Sequence, residues 1–131
     1  MASAGTNHID LIACRHRGIS VTNTGVVFSD DGADTAGGLL IDVLRKMSAV
    51  DRYVRQGNGI EKEYYPLASK LGGKRIGIVG LGSIGLQIAK RLEAFGCFVS
   101  YNSRTKKTFV SYPFHTNVCE LVANSDAYVV P

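Results

Sequence analysis

The amino-acid sequence predicts an α/β fold in which parallel strands alternate with helices. Two short apolar segments, "RIGIVG" (75–80) and "CFVSYN" (97–102), flank a helical pattern, and a third, "AYVV" (127–130), follows a shorter helical pattern. Because crossovers between such strands are right-handed and place the strands in parallel, we expect a βαβαβ half-sheet.

The segment at the start of the chain is predicted to contain a short helix and a short strand. "HIDLIACRHRG" (8–18) has the pattern of a helix closed by Gly18, and "ISVTN" (19–23) has the pattern of a strand followed by a turn.

A long amphipathic helix is expected from about Ser29 to Arg55. Ser29 can act as its N-cap, and Asp30 and Asp31 follow in the first turn, where the helix dipole favours acids. Apolar residues recur at three- and four-residue steps and predict one continuous stripe. The stripe consists of Ala36, Leu40, Val43, Met47, Val50 and Val54.

Residues 56–73 lack periodicity and contain glycines and a proline, which predicts a connecting loop. The strand that follows is apolar throughout, as strands buried in parallel sheets are. The next segment, "SIGLQIAKRLEAFG" (83–96), has the pattern of a helix. Its predicted inward residues are Ile84, Ile88, Leu92 and Phe95.

The last helix is predicted within "NVCELVANSD" (117–126). Asn117 and Glu120 have the spacing of a capping box, with Asn in place of the usual Ser or Thr. The third strand, "AYVV", follows directly and completes the expected half-sheet.

Length and composition are those of a globular protein. The chain has 131 residues, enough for one domain or for one domain with a piece of another. Hydrophobic residues make up 45% and charged residues 20%, which does not fit a disordered chain. No apolar run reaches the roughly 20 residues of a membrane span, and the first residues show no secretory signal. We therefore expect a cytoplasmic protein.

The cysteines and the net charge narrow the class further. Cys14, Cys97 and Cys119 are odd in number, scattered and without CxxC spacing, so we expect buried thiols, no disulfide framework and no metal site. The net charge of +4 fits an anionic cofactor, nucleic acid or neither. No recognisable nucleic-acid-binding motif accompanies the basic residues, which places that function last.

A phosphate-binding turn is predicted between the first strand and its helix. Gly80, Gly82 and Gly85 form GxGxxG in that position. The first glycine permits a tight turn, the second lets the backbone approach a pyrophosphate, and the third lets the helix lie close to the strand. The pyrophosphate then meets free amides at the positive end of the helix. This context predicts a Rossmann-type dinucleotide site, and "GGKR" lacks the Ser or Thr of a Walker A loop.

The end of the second strand predicts which dinucleotide binds. NAD-binding units usually place Asp or Glu there to hold the ribose 2′-OH, whereas this chain has "YNSRTKK". Ser103 and Arg104 can bind a 2′-phosphate, and Lys106 and Lys107 add positive potential. NADP(H) is therefore the expected cofactor, with NAD(H) less favoured. The alternative is a solvated basic turn without a ligand.

Three segments resemble the D-isomer-specific 2-hydroxyacid dehydrogenases. They are "SAGTNHIDL" (3–11), "VTNTGVVFSDDGADTAGGLLIDVLRKMSAVDRYVRQG" (21–57) and "LGGKRIGIVGLGSIGLQIAKRLEAFG" (71–96), in the family's order. Within the family they are most similar to plant glyoxylate/hydroxypyruvate reductases, including hydroxyphenylpyruvate reductases. The resemblance implies reduction of a 2-oxoacid to a 2-hydroxyacid by hydride transfer from NADPH.

The resemblance also implies an organisation. Residues 1–28 would be a remnant of the substrate domain, and residues 29–131 the N-terminal part of the NADP(H)-binding Rossmann domain, truncated in the third strand. The long helix would lie at the interface of a dimer, formed with a second copy or a full-length relative. Backbone amides of Ala4 and Gly5 would hold the substrate carboxylate. The loops implied to contact NADP comprise Leu81, Gly82, Ser83 and Ile84, together with Ser103, Arg104 and Thr105.

Some features depart from the family pattern. The family's catalytic Arg, Glu and His match no residue of this chain, so no catalytic residue is assigned. His8 falls in the carboxylate-binding segment, and His16 and His115 are expected to be exposed loop or helix-end residues. Gly32 and Gly38 stand where relatives tend to carry larger apolar residues, which should weaken the long helix.

Two functions from different classes remain open on these grounds. One is the cofactor-binding portion of a 2-oxoacid reductase. The other is a catalytically inactive, truncated module that binds the dinucleotide or pairs with an intact subunit. The chain has the character of a fragment in either case.

Overall fold

The structure is a computed structural model that describes residues 5–58 and 65–131. Its sheet has three parallel strands in the order β2–β1–β3, which confirms the predicted α/β half-sheet. The strands are β1 (Arg75–Val79), β2 (Phe98–Asn102) and β3 (Ala127–Val129). The central strand places Ile78 beside Tyr101 on one side and beside Val129 on the other.

The order of the strands creates a crevice at their carboxyl ends. β3 pairs with β1 and not with β2, while a single parallel bridge joins Tyr101 to Phe114 on the outer side of β2. Phe114 therefore occupies the place of a further strand, and the chain crosses from one side of β1 to the other before β3. Such a switch point is where open α/β sheets bind ligands.

The described residues contain five helices. They are α1 (Leu11–His16), α2 (Ser29–Arg45), α3 (Met47–Arg55), α4 (Ser83–Ala94) and α5 (Val118–Ala123). None of these helices combines the length and the apolar character needed to cross a membrane.

The predictions for the start of the chain are only partly correct. α1 forms as expected: the Asp10 carboxylate accepts from the Ala13 amide at 2.8 Å, and Gly18 follows the helix with φ of +66°. The predicted strand at 19–23 is wrong, because these residues join no ladder of the sheet and a turn follows at 25–28. An apolar extended segment becomes a strand only where a partner strand satisfies its backbone.

The predicted long helix is two helices. The helical conformation is interrupted at Lys46, which has φ of +55°. α2 ends at Arg45, just before this residue, and α3 begins at Met47, just after it. Asp42 stabilises the break, since its carboxylate accepts from the Ser48 amide at 2.6 Å and from the Ser48 hydroxyl at 2.8 Å. These bonds lower the pKa of Asp42 below its usual value. They also satisfy a donor at the start of α3 that a continuous helix would pair internally.

The start of α2 also differs from the prediction. Ser29 is the first helical residue and is buried, whereas the N-cap is Phe28, which makes no side-chain cap bond. Asp30 and Asp31 do lie in the first turn, as expected. Asp30 is one of two carboxylates that bind Arg91 of α4, the other being Asp34, with N–O distances of 3.2 and 2.6 Å. This ion pair joins the two helices at their exposed edge.

The main core lies between the sheet and the pair α2–α4. Its fully buried side chains include Ile76, Ile78, Ile88, Leu92 and Tyr101. The inward prediction is confirmed for Ile88 and Leu92, and Ile84 packs on this core partly buried. It is wrong for Phe95, which is 53% exposed because α4 ends at Ala94 and the ring leaves the helical face.

The opposite face of the sheet is covered by α5. Leu121 is fully buried there, and a Cβ added to Gly77 would lie only 2.6 Å from Ser125 Oγ. Asn117 caps α5 as predicted, accepting from the Cys119 amide at 2.8 Å. Glu120 does not complete the box; its carboxylate lies 3.5 Å from His115 Nδ1.

The three thiols differ in burial. Cys97 is buried as expected, its thiol points to the Leu71 carbonyl at 3.4 Å, and burial raises its pKa. Cys14 is only partly buried and Cys119 is exposed at the start of α5, so the prediction of buried thiols is wrong for these two. All three are free.

An ion pair fixes the amino ends of β1 and β3. Asp126 accepts from the Arg75 amide at 2.8 Å and from Arg75 Nη2 at 2.9 Å. These bonds lower the pKa of Asp126 to about 2, so its carboxylate is ionised at neutral pH. The register of the two strands is thereby fixed at the end opposite the crevice.

Candidate functional site

The turn between β1 and α4 begins the candidate site. Gly80 has φ of +111°, a conformation that residues with a side chain rarely adopt. Its amide donates to the Asn102 carbonyl at 2.8 Å, which ties the turn to the carboxyl end of β2. The turn therefore lies at the crevice that the strand order creates.

The other two glycines of the motif meet different constraints. An added Cβ at Gly85 would overlap the carbonyl oxygen of Gly80, so α4 can pass this close to the turn only with glycine there. An added Cβ at Gly82 would meet no atom within 4 Å, so Gly82 borders open space. Gly82 is also the N-cap of α4, and no side chain caps the first amides of that helix. Those amides are available to an anion.

A cleft of about 490 Å³ joins this turn to the loop after β2. It is lined by Gly80, Leu81, Gly82, Ser103, Arg104, Thr105 and Lys107. A smaller cavity of about 250 Å³ continues over the start of α4. It is lined by Gly80, Gly82, Ser83, Ile84, Gly85 and Pro131. All residues predicted from the sequence to contact the cofactor thus line one of two adjoining cavities.

The cleft is positively charged. Among the residues that the structure describes, Arg104 and Lys107 are the only ionisable ones that line it, and Arg104 makes no ion pair with any of the others. The Ser103 hydroxyl donates to the Thr105 carbonyl at 2.7 Å, which holds the loop in a compact turn. Leu81 as a whole is only 2% exposed, so it contributes little surface to the cleft that it lines. The arrangement suits a ligand with two separated phosphate groups.

The remaining predicted residues lie elsewhere. Ala4 is outside the described residues, and Gly5 is exposed and does not line the cleft. His8 and His16 are exposed. The exposure of His16, at the end of α1, agrees with the prediction. His115 is not exposed as predicted: its side chain is 18% accessible because it packs beside Glu120 after the bridge to β2. None of these histidines lines the cleft.

Two residues have a role in the site that the sequence did not predict. Lys107 was expected only to add positive potential, but it lines the cleft itself. Tyr101 supports the same loop from below, since its hydroxyl accepts from the Lys107 amide at 2.7 Å. A tyrosine in a short strand, one residue before the strand ends, is the sequence signal that could have indicated this role.

Comparison with known families agrees with this geometry. Residues 37–130 match the model of the D-isomer specific 2-hydroxyacid dehydrogenase, NAD binding domain. The chain belongs to this family. The matched range contains the whole sheet, the glycine turn and the loop after β2, so this member carries the family's dinucleotide-binding fold with both walls of the cleft.

Within this family, the chain is similar to plant reductases of 2-oxoacids. Over 98% of its length this dehydrogenase-family chain is 55% identical to a glyoxylate/hydroxypyruvate reductase of Arabidopsis thaliana and 48% identical to the hydroxyphenylpyruvate reductase of Plectranthus scutellarioides. It spans 40% and 41% of the length of these two proteins.

Solved structures show the same fold. The NADPH-dependent glyoxylate/hydroxypyruvate reductase of Sinorhizobium meliloti, in complex with NADP and malonate, superimposes with a TM-score of 0.84 at 36% identity. The alignment covers 98% of this chain and 40% of the reductase. The same reductase in complex with citrate gives a TM-score of 0.89.

Proposed function

We propose that this chain binds NADP(H) in the cleft between the glycine turn and the loop after β2. The amides at the start of α4 would hold the pyrophosphate, and Arg104 would hold the ribose 2′-phosphate, with Ser103, Thr105 and Lys107 beside it. The observation that carries the proposal is the charge of the cleft, which contains two cations and no carboxylate at the position where NAD-binding units place an acid. The Sinorhizobium meliloti relative with bound NADP supports it.

The reaction proposed for the intact protein is reduction of a 2-oxoacid to a 2-hydroxyacid. The hydride comes from the bound NADPH, and a proton from an acid of the enzyme completes the hydroxyl group. Hydroxypyruvate, glyoxylate and aryl pyruvates are the candidate substrates, in line with the names of the plant relatives. Residues 1–28 are assigned to the substrate domain and residues 29–131 to the cofactor domain, with Ala4 and Gly5 proposed at the substrate carboxylate.

We also propose that the protein is cytoplasmic and associates through α2 and α3. Several apolar residues on these helices are exposed, including Val43 at 72% and Met47 at 58%. Exposed apolar surfaces of this kind commonly mark an interface. The partner is a second copy or a full-length relative.

Cofactor preference tests the proposal directly. We expect the wild-type chain to bind NADPH more tightly than NADH in a fluorescence or calorimetric titration, and Arg104→Ala to lose most of that preference. One charge-assisted hydrogen bond contributes about 1.5–3 kcal/mol, or about ten- to a hundredfold in affinity. Arg55→Ala is the matched control, since it removes the same charge from α3, outside the cleft. Equal affinities of the wild type for both nucleotides would contradict the proposal.

A further inference from the structure

Tyr101 lies beneath the loop that closes the cleft, and we propose that it is a positioning residue for recognition of the 2′-phosphate. Its hydroxyl would hold residues 103–107 in the shape that presents Arg104 and Lys107 to the ligand. The inference rests on the proposed NADP(H) function and concerns how selectivity for that cofactor arises.

The ring of Tyr101 is fixed by its surroundings. The residue is fully buried in β2, in register with Ile78 of β1, and its ring lies 5.3 Å from that of Phe114. Its backbone also bonds on the outer side of the strand, donating to Pro113 at 2.9 Å and accepting from His115 at 2.8 Å. A ring held on both sides leaves its hydroxyl at a defined position under the end of the strand.

The hydroxyl makes both of its hydrogen bonds to one residue of the loop. It accepts from the Lys107 amide at 2.7 Å and donates to the Lys107 carbonyl at 3.4 Å. The loop that leaves β2 at Asn102 is thereby fixed again five residues later. Between these points the Ser103 hydroxyl bonds to the Thr105 carbonyl at 2.7 Å, so the loop is restrained at its far end and within.

The restraint matters because both cations of the cleft lie within it. Arg104 and Lys107 make no ion pair with other residues in the part of the chain that the structure describes, so no carboxylate holds their charges, and the loop backbone sets where the two side chains begin. A loop that is already ordered loses less conformational entropy when a phosphate binds. Binding through the glycine turn does not depend on this loop, so the restraint should favour NADPH over NADH.

Tyr101→Phe tests this inference because it keeps the ring and removes the hydroxyl. We expect the affinity for NADPH to fall by about three- to tenfold, the range of one neutral hydrogen bond, and the affinity for NADH to change by less than about twofold. Tyr112→Phe is the matched control: it removes a hydroxyl that bonds to Glu93 at 2.9 Å, away from the loop, and should leave the NADPH/NADH ratio unchanged.

A second pair of variants tests the same contact from the loop side. Lys107→Ala and Lys107→Pro both lose the ammonium group. Only Lys107→Pro also loses the backbone N–H that donates to the Tyr101 hydroxyl. We expect Lys107→Pro to bind NADPH more weakly than Lys107→Ala. This comparison keeps the inference testable if Tyr101→Phe does not fold.

The outcomes separate this inference from the proposed function. If wild-type protein shows no preference for NADPH, the proposed cofactor is wrong. If wild-type protein prefers NADPH but the ratio is unchanged in Tyr101→Phe, or Lys107→Pro equals Lys107→Ala, the positioning role is wrong. Parallel losses for both nucleotides, accompanied by a lower melting temperature, would show a general structural role and also overturn it.

Discussion

Gly85 shows how one missing side chain makes the site possible. Its position against the Gly80 carbonyl lets α4 start directly above the glycine turn, where its free amides reach the cleft. Gly37 of α2 has the opposite character, since an added Cβ there would meet nothing within 4 Å. The same substitution at these two glycines should therefore have opposite effects.

We expect Gly85→Ala to lower the free energy of unfolding by about 1–3 kcal/mol, because the backbone must move to relieve the overlap. It should also weaken binding of NADPH and NADH together, since both use the glycine turn. Gly37→Ala should raise the free energy of unfolding by about 0.5–1 kcal/mol, because alanine favours a helix interior. Urea unfolding measures both changes. Equal stability of Gly85→Ala and wild type would show that the close approach is not a constraint.

At this scale the sequence predicts what depends on near neighbours. The spacing of Gly80, Gly82 and Gly85 predicts their roles because the turn and the first turn of α4 meet within a few residues. The need for glycine at position 77 could not be recognised in this way, because the atoms that leave no room for a side chain belong to Ser125 and to Leu121 of α5, more than 40 residues away. The same holds for Tyr101, whose role depends on where the loop returns.

At the scale of elements, the break at Lys46 redirects the apolar surface of α2 and α3. Periodicity predicts a continuous stripe, but Leu40 packs into the core of this chain while Val43 and Met47 are exposed on either side of the break. The break itself escapes a periodicity argument because it depends on the Asp42 side chain bonding to Ser48, six residues further on. Helix length was overestimated for the same reason.

The exposed apolar residues of α2 and α3 predict association. We expect wild-type protein to sediment as a dimer at tens of micromolar, and the double variant V43K/M47K to shift towards monomer because two charges would be buried without partners. Phe98→Lys is the control, since Phe98 is similarly exposed but lies on β2. A wild-type chain that sediments as a clean, soluble monomer would contradict this prediction and leave the apolar surface unassigned.

At the scale of the whole molecule, the sheet order gives the cleft its place. The fold class follows from alternation of apolar strands and helical patterns, but the position of β3 beside β1 depends on long-range pairing that periodicity does not encode. This pairing also creates an apolar groove of about 580 Å³, which is lined by β3 and by one face of α2. The cleft beside the glycine turn is different, because two short loops line it: the turn between β1 and α4, and the loop after β2. Each loop directly follows a strand that the sequence predicts, so most residues of the cleft could be predicted.

Within residues 5–58 and 65–131, the cleft has binding groups but no lining residue that we assign to proton transfer. Reduction of a 2-oxoacid needs a cation on the substrate carboxylate and an acid that protonates the new alkoxide beside the nicotinamide. The ionisable lining residues of the cleft are Arg104 and Lys107, both proposed to face the 2′-phosphate, and His8, His16 and His115 lie outside it. General acid catalysis alone contributes about 10²–10⁴-fold to such a rate, and loss of substrate positioning adds to the deficit.

We therefore expect the isolated 131-residue chain to bind NADPH without sustained turnover. The measurement is the loss of NADPH absorbance with glyoxylate, hydroxypyruvate and 4-hydroxyphenylpyruvate, made on protein whose nucleotide binding has been shown by titration. The Arg104→Ala variant is the internal control: activity that belongs to this chain must fall with its affinity for NADPH, whereas activity of a contaminating reductase must not. Sustained oxidation that decreases in Arg104→Ala would show that a proton donor reaches the nicotinamide from elsewhere in the chain, and would overturn this expectation.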